Sequence, residues 1–268
     1  MANTILITGA STGIGKATAE LFLEQGWNVI ATMRTPKDEQ AHERKLVTRL
    51  DVLEQGSIDE AIRLGIEKFG RIDALVNNAG YGLVGTFESM SEGQIKRQFD
   101  TNVFGLMRVT KAILPHFRAN KAGTLINVAS MGGRLTFPFY SVYHGTKWAV
   151  DGFSESLSYE LGEIGARVKI IEPGAIKTDF YGRSADFTHD TELSEYNGIV
   201  EKGMRRMNAA GAKGAPASAV ADAIWKAATD GSGRLRYVVG SDAKMMLGLR
   251  KLIGVRAFMA TIRSQLFK

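Results

Sequence analysis

Short apolar runs alternate with longer amphipathic stretches along most of the chain. Thr4–Thr8, Val29–Thr32, Leu46–Leu50, Ala74–Asn77, Thr124–Val128, Arg167–Ile171 and Tyr237–Val239 are too short for helices and read as strands. Between them, apolar positions recur every three or four residues, as on a helix with one buried face. Helices are expected over Ile14–Gln25, closed by Gly26, over Ser57–Phe69 with Ser57 as N-cap, and over Ser91–Arg118 and Tyr140–Leu161. Ser91 followed by Gln94 has the form of a capping box. Pro173 is expected to stop the sixth strand. Strands apolar throughout and separated by helices predict an α/β fold, a parallel sheet covered on both faces.

Two segments break this rhythm. Asp179–Pro216 has weak periodicity and carries Phe180, Tyr181, Phe187 and Tyr196. In Ala243–Lys268, Met245, Leu249, Leu252, Val255, Met259, Ile262 and Leu266 define a helical stripe. Arg250, Lys251, Arg256 and Arg263 accompany it, and Gly248 and Gly254 weaken it. Residues 1–242 therefore read as one domain with an insertion at about 179–216, followed by a basic amphipathic helical extension over 243–268.

Composition narrows the chemistry. The 268 residues contain no Cys, which excludes a disulfide framework, a thiolate metal site and a Cys nucleophile. The four His are scattered, so no metal site is expected. No run of 18 apolar residues exists, and the chain opens on an apolar strand rather than a secretory leader, so a cytoplasmic protein is expected. Of 34 Lys and Arg, eight fall in Gly231–Lys268 beside a single acid, Asp242. The basicity belongs to the tail, and no nucleic-acid partner is expected.

Candidate chemistry lies at strand ends. Gly9, Gly13 and Gly15, with Ser11, Thr12 and Ile14 among them, join the first strand to the first helix. Glycines there allow a tight turn and let phosphates approach backbone N–H groups at a helix N-terminus. A lone turn of this kind is equally an ordinary strand–helix connection. Tyr143 and Lys147 are four residues apart and share one helix face, and none of the other six Tyr has Lys at that spacing. A cation about 4 Å from a phenol contributes roughly 4 kcal/mol at an effective dielectric of 20. That is enough to bring a phenol with a pKa near 10 toward neutrality, where it can pass a proton to a developing alkoxide. Ser130, at the end of an apolar run, lies upstream of the pair.

With Asn77–Gly80, Asn102 and Pro173–Gly174 added, the chain resembles the classical short-chain dehydrogenase/reductase family. The resemblance is strong over Asn3–Thr178 and looser over Ala215–Gly240. It implies a Rossmann-type doubly wound parallel sheet of about seven strands with helices on both faces. It also implies a nicotinamide dinucleotide cofactor and interconversion of a carbonyl and an alcohol, and it marks Asn102, Ser130, Tyr143 and Lys147 as the catalytic set. Tyr143 would be the general acid/base, Ser130 would orient the substrate oxygen, Asn102 would hold a water in a proton relay, and Lys147 would also grip the cofactor ribose. Asp51 and Val52 would meet the adenine, and Asn78, Ala79 and Gly80 the ribose. Pro173, Gly174, Ile176 and Thr178 would hold the carboxamide and pyrophosphate side. In this fold an acid at the end of the second strand selects NAD. That position falls at Met33, and Arg34 follows, whose guanidinium suits a 2′-phosphate, with Ser11 and Lys37 as helpers. NADP(H) is therefore expected over NAD(H). The competing structural roles are a packed Tyr, a solvated Lys or Arg, a strand-end Ser and a capping Asn or Asp.

The resemblance places substrate between Met131–Phe139 and Asp179–Pro216. Phe137, Phe139, Phe180, Tyr181 and Phe187 fit a bulky apolar carbonyl or alcohol, and they fit core packing as well. His144 is given no part in proton transfer. The long helices resemble the family's dimer faces, so a homodimer or homotetramer is expected. Residues 243–268 are expected to pack over the cleft or on a partner subunit, ahead of peripheral membrane contact. The alternative to an enzyme is a catalytically silent NADP(H)-binding sensor or scaffold.

Overall fold

Seven parallel strands form the centre of the molecule. The computed structural model describes residues 2–36, 42–178 and 185–267. From the N-terminus run β1 (Thr4–Ile7), α1 (Gly13–Glu24), β2 (Asn28–Met33), β3 (Lys45–Arg49), α2 (Gln55–Phe69) and β4 (Ala74–Asn77). Then come β5 (Gly82–Gly85), α3 (Glu92–Phe99), α4 (Leu106–Asn120), β6 (Gly123–Val128), α5 (Ser141–Glu163) and β7 (Ala166–Pro173). The remainder is β8 (Ile176–Lys177), β9 (Ala185–Thr188), α6 (Ser194–Ala212), β10 (Ala215–Pro216), α7 (Ala217–Thr229), β11 (Arg236–Val239) and α8 (Ser241–Phe267).

The sheet order is β3-β2-β1-β4-β6-β7-β11, the Rossmann-type arrangement. Both faces are covered, because successive side chains of a strand point to opposite sides. Ile5 and Ile7 pack toward Phe22 of α1 and Val220 and Ile224 of α7. Leu6 packs toward Ile58 of α2 and Val109, Ile113 and Phe117 of α4. Strand order reverses between β1 and β4, and crevices for ligands open there, beyond the carboxyl ends of the strands.

A buried polar ladder ties the sheet to the helices. Asn77 Nδ2 donates to Thr110 Oγ1 at 2.9 Å and to Asn127 Oδ1 at 3.0 Å, and Asn127 Nδ2 donates to Ser154 Oγ at 2.8 Å. The bond from Asn127 to Ser154 fixes α5 against β6.

Several expectations change. Ser91 does form its capping box with Gln94, but the expected 91–118 helix is two helices joined by a π-helical turn at Asp100–Gly105. Ser57 is not an N-cap. The helix begins at Gln55 after Glu54, and the Ser57 hydroxyl accepts from Asp51 N at 2.9 Å and donates to Glu54 O at 2.9 Å. Pro173 does not stop the strand short, because it is the last residue of β7 and pairs with Val239. Two short parallel pairs, β5 with β9 and β8 with β10, rim the carboxyl end of the sheet.

The tail is helical but does not keep one stripe. Gly254, at φ 76° and ψ 170°, breaks α8. Met245, Leu252, Val255 and Met259 lie on the exposed side, while Phe258 and Ile262 are buried. The break resets the helical phase, so the residue spacing no longer tracks one face. Among the described residues, no helix is long and apolar enough to cross a membrane.

Candidate active site

A cleft of about 860 Å3 opens where the strand order reverses. Its floor is the turn between β1 and α1. Gly9 takes φ 68° and Gly13 φ 55°, where side-chained residues are strained. A Cβ on Gly15 would overlap the Gly9 carbonyl oxygen, so the helix can come this close only at a glycine. Asn78 braces the turn from β4. Its Nδ2 donates to the carbonyls of Thr8 at 2.9 Å and Gly9 at 3.1 Å. The backbone N–H groups of Asn78 and Ala79 both donate to Thr8 Oγ1 at 3.0 Å. Helix α1 then opens after an extended Thr12 that makes no side-chain cap, with no acid in its first turn. Such an end offers backbone donors and a positive dipole to a phosphate. Ser11, Thr12, Gly13 and Ile14 line the cleft, whereas Gly15 lies buried behind it.

At one end of the cleft, Met33 is buried and Arg34 is exposed, and both line the wall. Among the described residues, Arg34 makes no ion pair or hydrogen bond. Lys37 lies outside the described residues. Asp51 and Val52 also line this end. The Asp51 carboxylate accepts from Leu53 N at 2.9 Å, so a local turn fixes its orientation.

The opposite wall carries Ser130, Tyr143 and Lys147. Ser130 ends the segment after β6, and its Oγ accepts from Gly132 N at 3.0 Å. Tyr143 and Lys147 project from α5, with Lys147 Nζ 5.8 Å from the centre of the Tyr143 ring. Lys147 also donates to the Val128 carbonyl at 2.8 Å. Burial lowers its pKa from 10.5 to about 8. Pro173, Gly174, Ile176 and Thr178 line the cleft as well.

Asn102 stands behind the cleft rather than on it. Its Nδ2 donates to Tyr81 O at 2.9 Å and Thr146 Oγ1 at 3.2 Å, and its Oδ1 accepts from Tyr81 N at 3.1 Å. It therefore joins the loop after Gly80 to the residue preceding Lys147. The π-helical turn brings its side chain to that position. Phe180 and Tyr181 lie outside the described residues, Phe187 is 50 % exposed, and Phe137 lines the cleft.

The glycine cradle, the open helix end and a cleft of this volume fit a dinucleotide. The profile of the short chain dehydrogenase family matches residues 3–188. The chain belongs to the short-chain dehydrogenase/reductase family. An uncharacterized oxidoreductase of Schizosaccharomyces pombe is 41% identical over 237 residues, covering 87% of this chain and 99% of its own length. A 3-ketodihydrosphingosine reductase of Bacteroides thetaiotaomicron is 38% identical over 197 residues, covering 74% of this chain and 70% of its own. A solved short-chain dehydrogenase of Streptomyces avermitilis superposes with a TM-score of 0.80 at 32% identity, over 99% of this chain and 96% of that one. The structure of ElxO with NADP bound gives 0.73 at 27% identity, over 89% and 97%. As a member of this family the protein is an oxidoreductase that uses a nicotinamide cofactor.

Helix α8 supplies part of the cleft that the sequence did not resolve residue by residue. Asp242, at the start of α8, accepts from Ala175 N at 2.7 Å and occupies the space that a Cβ on Gly174 would need. Met245, Met246, Ile262 and Gln265 of α8 line the same cleft. Met245 and Ile262 belong to the stripe that the sequence marks in 243–268, a segment expected over the cleft or on a partner subunit, whereas no local signal marks Asp242, Met246 or Gln265 as facing it. His144 also lines it, stacked on Tyr140 with ring centres 5.5 Å apart. Phe137 N donates to its Nδ1 at 3.4 Å, and burial pushes its pKa down to about 4.

Proposed function

We propose that the protein interconverts a carbonyl and an alcohol, with NADP(H) as its cofactor in preference to NAD(H). The observation that carries this reading is the meeting of Ser130, Tyr143 and Lys147 on one wall of a cleft whose floor is the glycine turn. When bound, the nicotinamide ring supplies or accepts the hydride.

In the reducing direction, Ser130 Oγ hydrogen-bonds the substrate oxygen and holds it toward Tyr143. The Tyr143 hydroxyl gives its proton to that oxygen as negative charge develops there. The Lys147 ammonium stabilises the phenolate that remains, and the Val128 carbonyl holds the ammonium in place. Asn102, bonded to the loop after Gly80 and to Thr146, keeps α5 and that loop in register. Asn78 holds the glycine turn open for the pyrophosphate.

Arg34 and the missing acid at Met33 support NADP(H). A guanidinium can fork onto a 2′-phosphate, and no carboxylate repels it. ElxO, a related fold, holds NADP. The apolar wall near Ser130, with Met131 and Phe137, supports a bulky apolar substrate. The relative described as a 3-ketodihydrosphingosine reductase points the same way. Phe104, Trp148 and Tyr159, exposed on the π-helical turn and α5, support a homo-oligomer built on that face. Sedimentation of the protein would show it.

The test of the reaction is a screen of NADPH oxidation against aliphatic ketones, aryl ketones, aldehydes and quinones. Turnover of at least one class is expected, with NADH markedly poorer. Binding of NADPH without turnover of any carbonyl, and without oxidation of any alcohol by NADP+, would overturn the assignment.

A further inference from the structure

Helix α8 is anchored at both ends of its inward face. Asp242 fastens its start to Ala175, next to the Pro173–Gly174 segment of the cleft. Past the break at Gly254, Phe258 and Ile262 pack against Leu135 of the segment that follows Ser130, with Met131 and Phe137 alongside. The first half contributes Met246 and Leu249 to the same cluster. A helix held this way is part of the domain's core rather than an appendage.

The helix is also cleft wall, through Met246 and Ile262 on its inner side and the largely exposed Met245 at the cleft's edge. Met131, Phe137, Met207, Met245, Met246 and Ile262 all line the cleft. Three of them come from α8, and Met131 directly follows Ser130. The cofactor turn is lined by glycines and hydroxyls, whereas this end carries thioethers, an aromatic ring and a branched aliphatic chain, with Arg206 beside Met207 and Gln265 one turn beyond Ile262 as its polar neighbours. Thioether side chains are unbranched and polarizable, and they mould to apolar ligands of varying shape. Unbranched, adaptable walls suit a flexible chain better than a rigid ring system.

We propose that α8 forms the far wall of the substrate subsite, and that this subsite takes an extended alkyl chain carried by the reacting carbonyl. The proposal rests on the reading of Ser130, Tyr143 and Lys147 as the reacting end of the cleft. Ile262 sets the length of chain accepted. Met246 packs along it.

Binding separates this proposal from the reaction itself. Straight-chain 2-ketones from six to twelve carbons are titrated calorimetrically into the full-length protein with saturating NADP+, a combination that cannot turn over. Affinity of the wild-type protein is expected to rise about fourfold for each methylene buried, then to level off. Ile262→Trp should leave the six-carbon ketone unchanged and weaken the twelve-carbon ketone by about tenfold or more. Ile262→Ala, which removes volume instead of adding it, should shift the levelling point to a longer chain and serves if the Trp variant does not fold. Affinity independent of chain length, or equal losses for short and long ketones in the folded variants, would overturn the role of α8. Length-dependent binding with no NADPH oxidation by any ketone would leave the subsite standing and remove the reaction. Turnover without length-dependent binding would do the reverse.

Discussion

Lys147 Nζ lies 5.8 Å from the centre of the Tyr143 ring while donating to the Val128 carbonyl at 2.8 Å. One turn of α5 thus sets a buried cation beside a phenol, and the end of β6 holds the cation there. The arrangement has a cost. A buried ammonium is poorly solvated, which is why its pKa falls to about 8.

That cost has a pH signature. Between pH 8 and 10.5 the unfolded chain keeps the Lys147 proton and the folded chain releases it. The unfolded state then binds more protons, so the contribution of this residue to stability rises with pH across that window. It is lost as the pH falls through about 8. Lys147→Met should flatten this rise in the cofactor-free protein and leave it no less stable at pH 7, while activity collapses. Thermal unfolding of both proteins at pH 7 and 9.5 checks this.

Asn102 gives a different outcome. Asn102→Ala deletes hydrogen bonds to Tyr81 and Thr146 and leaves the Tyr81 N–H without its acceptor, while the Tyr81 carbonyl keeps Gln98 Nε2 at 2.8 Å. A loss of about 2 to 3 kcal/mol in unfolding free energy is expected. Turnover should drop with little change in cofactor affinity, because Asn102 does not line the cleft. Urea unfolding and a cofactor titration on the same variant separate the two effects.

Arg34→Ala should raise the dissociation constant of NADPH by about tenfold to a hundredfold, the worth of a charged hydrogen bond, and barely change that of NADH. Equal weakening of both cofactors in a fluorescence titration would remove the phosphate assignment from Arg34.

His144 stays neutral through the usual assay range, since burial pushes its pKa to about 4. The limbs of the pH–rate profile between about pH 6 and 9 should therefore keep their midpoints in His144→Gln, whatever happens to the substrate KM. A shifted midpoint would mean that His144 titrates during turnover.

Much of this arrangement was legible in the sequence because it sits where strands end. Ala74–Asn77 is a strand at the residues its apolar run marks, and the Ser91 capping box forms as its spacing requires. The glycine turn, Ser130, Tyr143 and Lys147 were readable because each depends on local backbone or helical spacing. Other features depend on tertiary contacts. The π-helical turn at Asp100–Gly105 is invisible to periodicity, since the apolar spacing runs through it and the widened turn is held by Tyr81. The paired strands Gly82–Gly85 and Ala185–Thr188 are short and distant in the chain, and a Cβ on Gly85 would overlap the Thr188 carbonyl oxygen. Helix Ala217–Thr229 has a small-residue face that reads weakly until Trp225 is seen packed edge-on to Phe22 at 4.9 Å. The tail was readable as a helix, but most of its apolar stripe is exposed, and Phe258, which the stripe leaves out, is buried beside Ile262 past the break at Gly254.

The central claim is that Tyr143 supplies the proton for a hydride transfer within this cleft. The most direct measurement uses NADPH deuterated at the transferable C4 position, a ketone found by the screen, and mass analysis of the alcohol, for the wild type and Tyr143→Phe. The wild type should place one deuterium on the carbinol carbon. The variant should bind NADPH with unchanged affinity and form product at least a hundredfold more slowly. Deuterium-free alcohol from the wild type, or full activity in Tyr143→Phe, would contradict it.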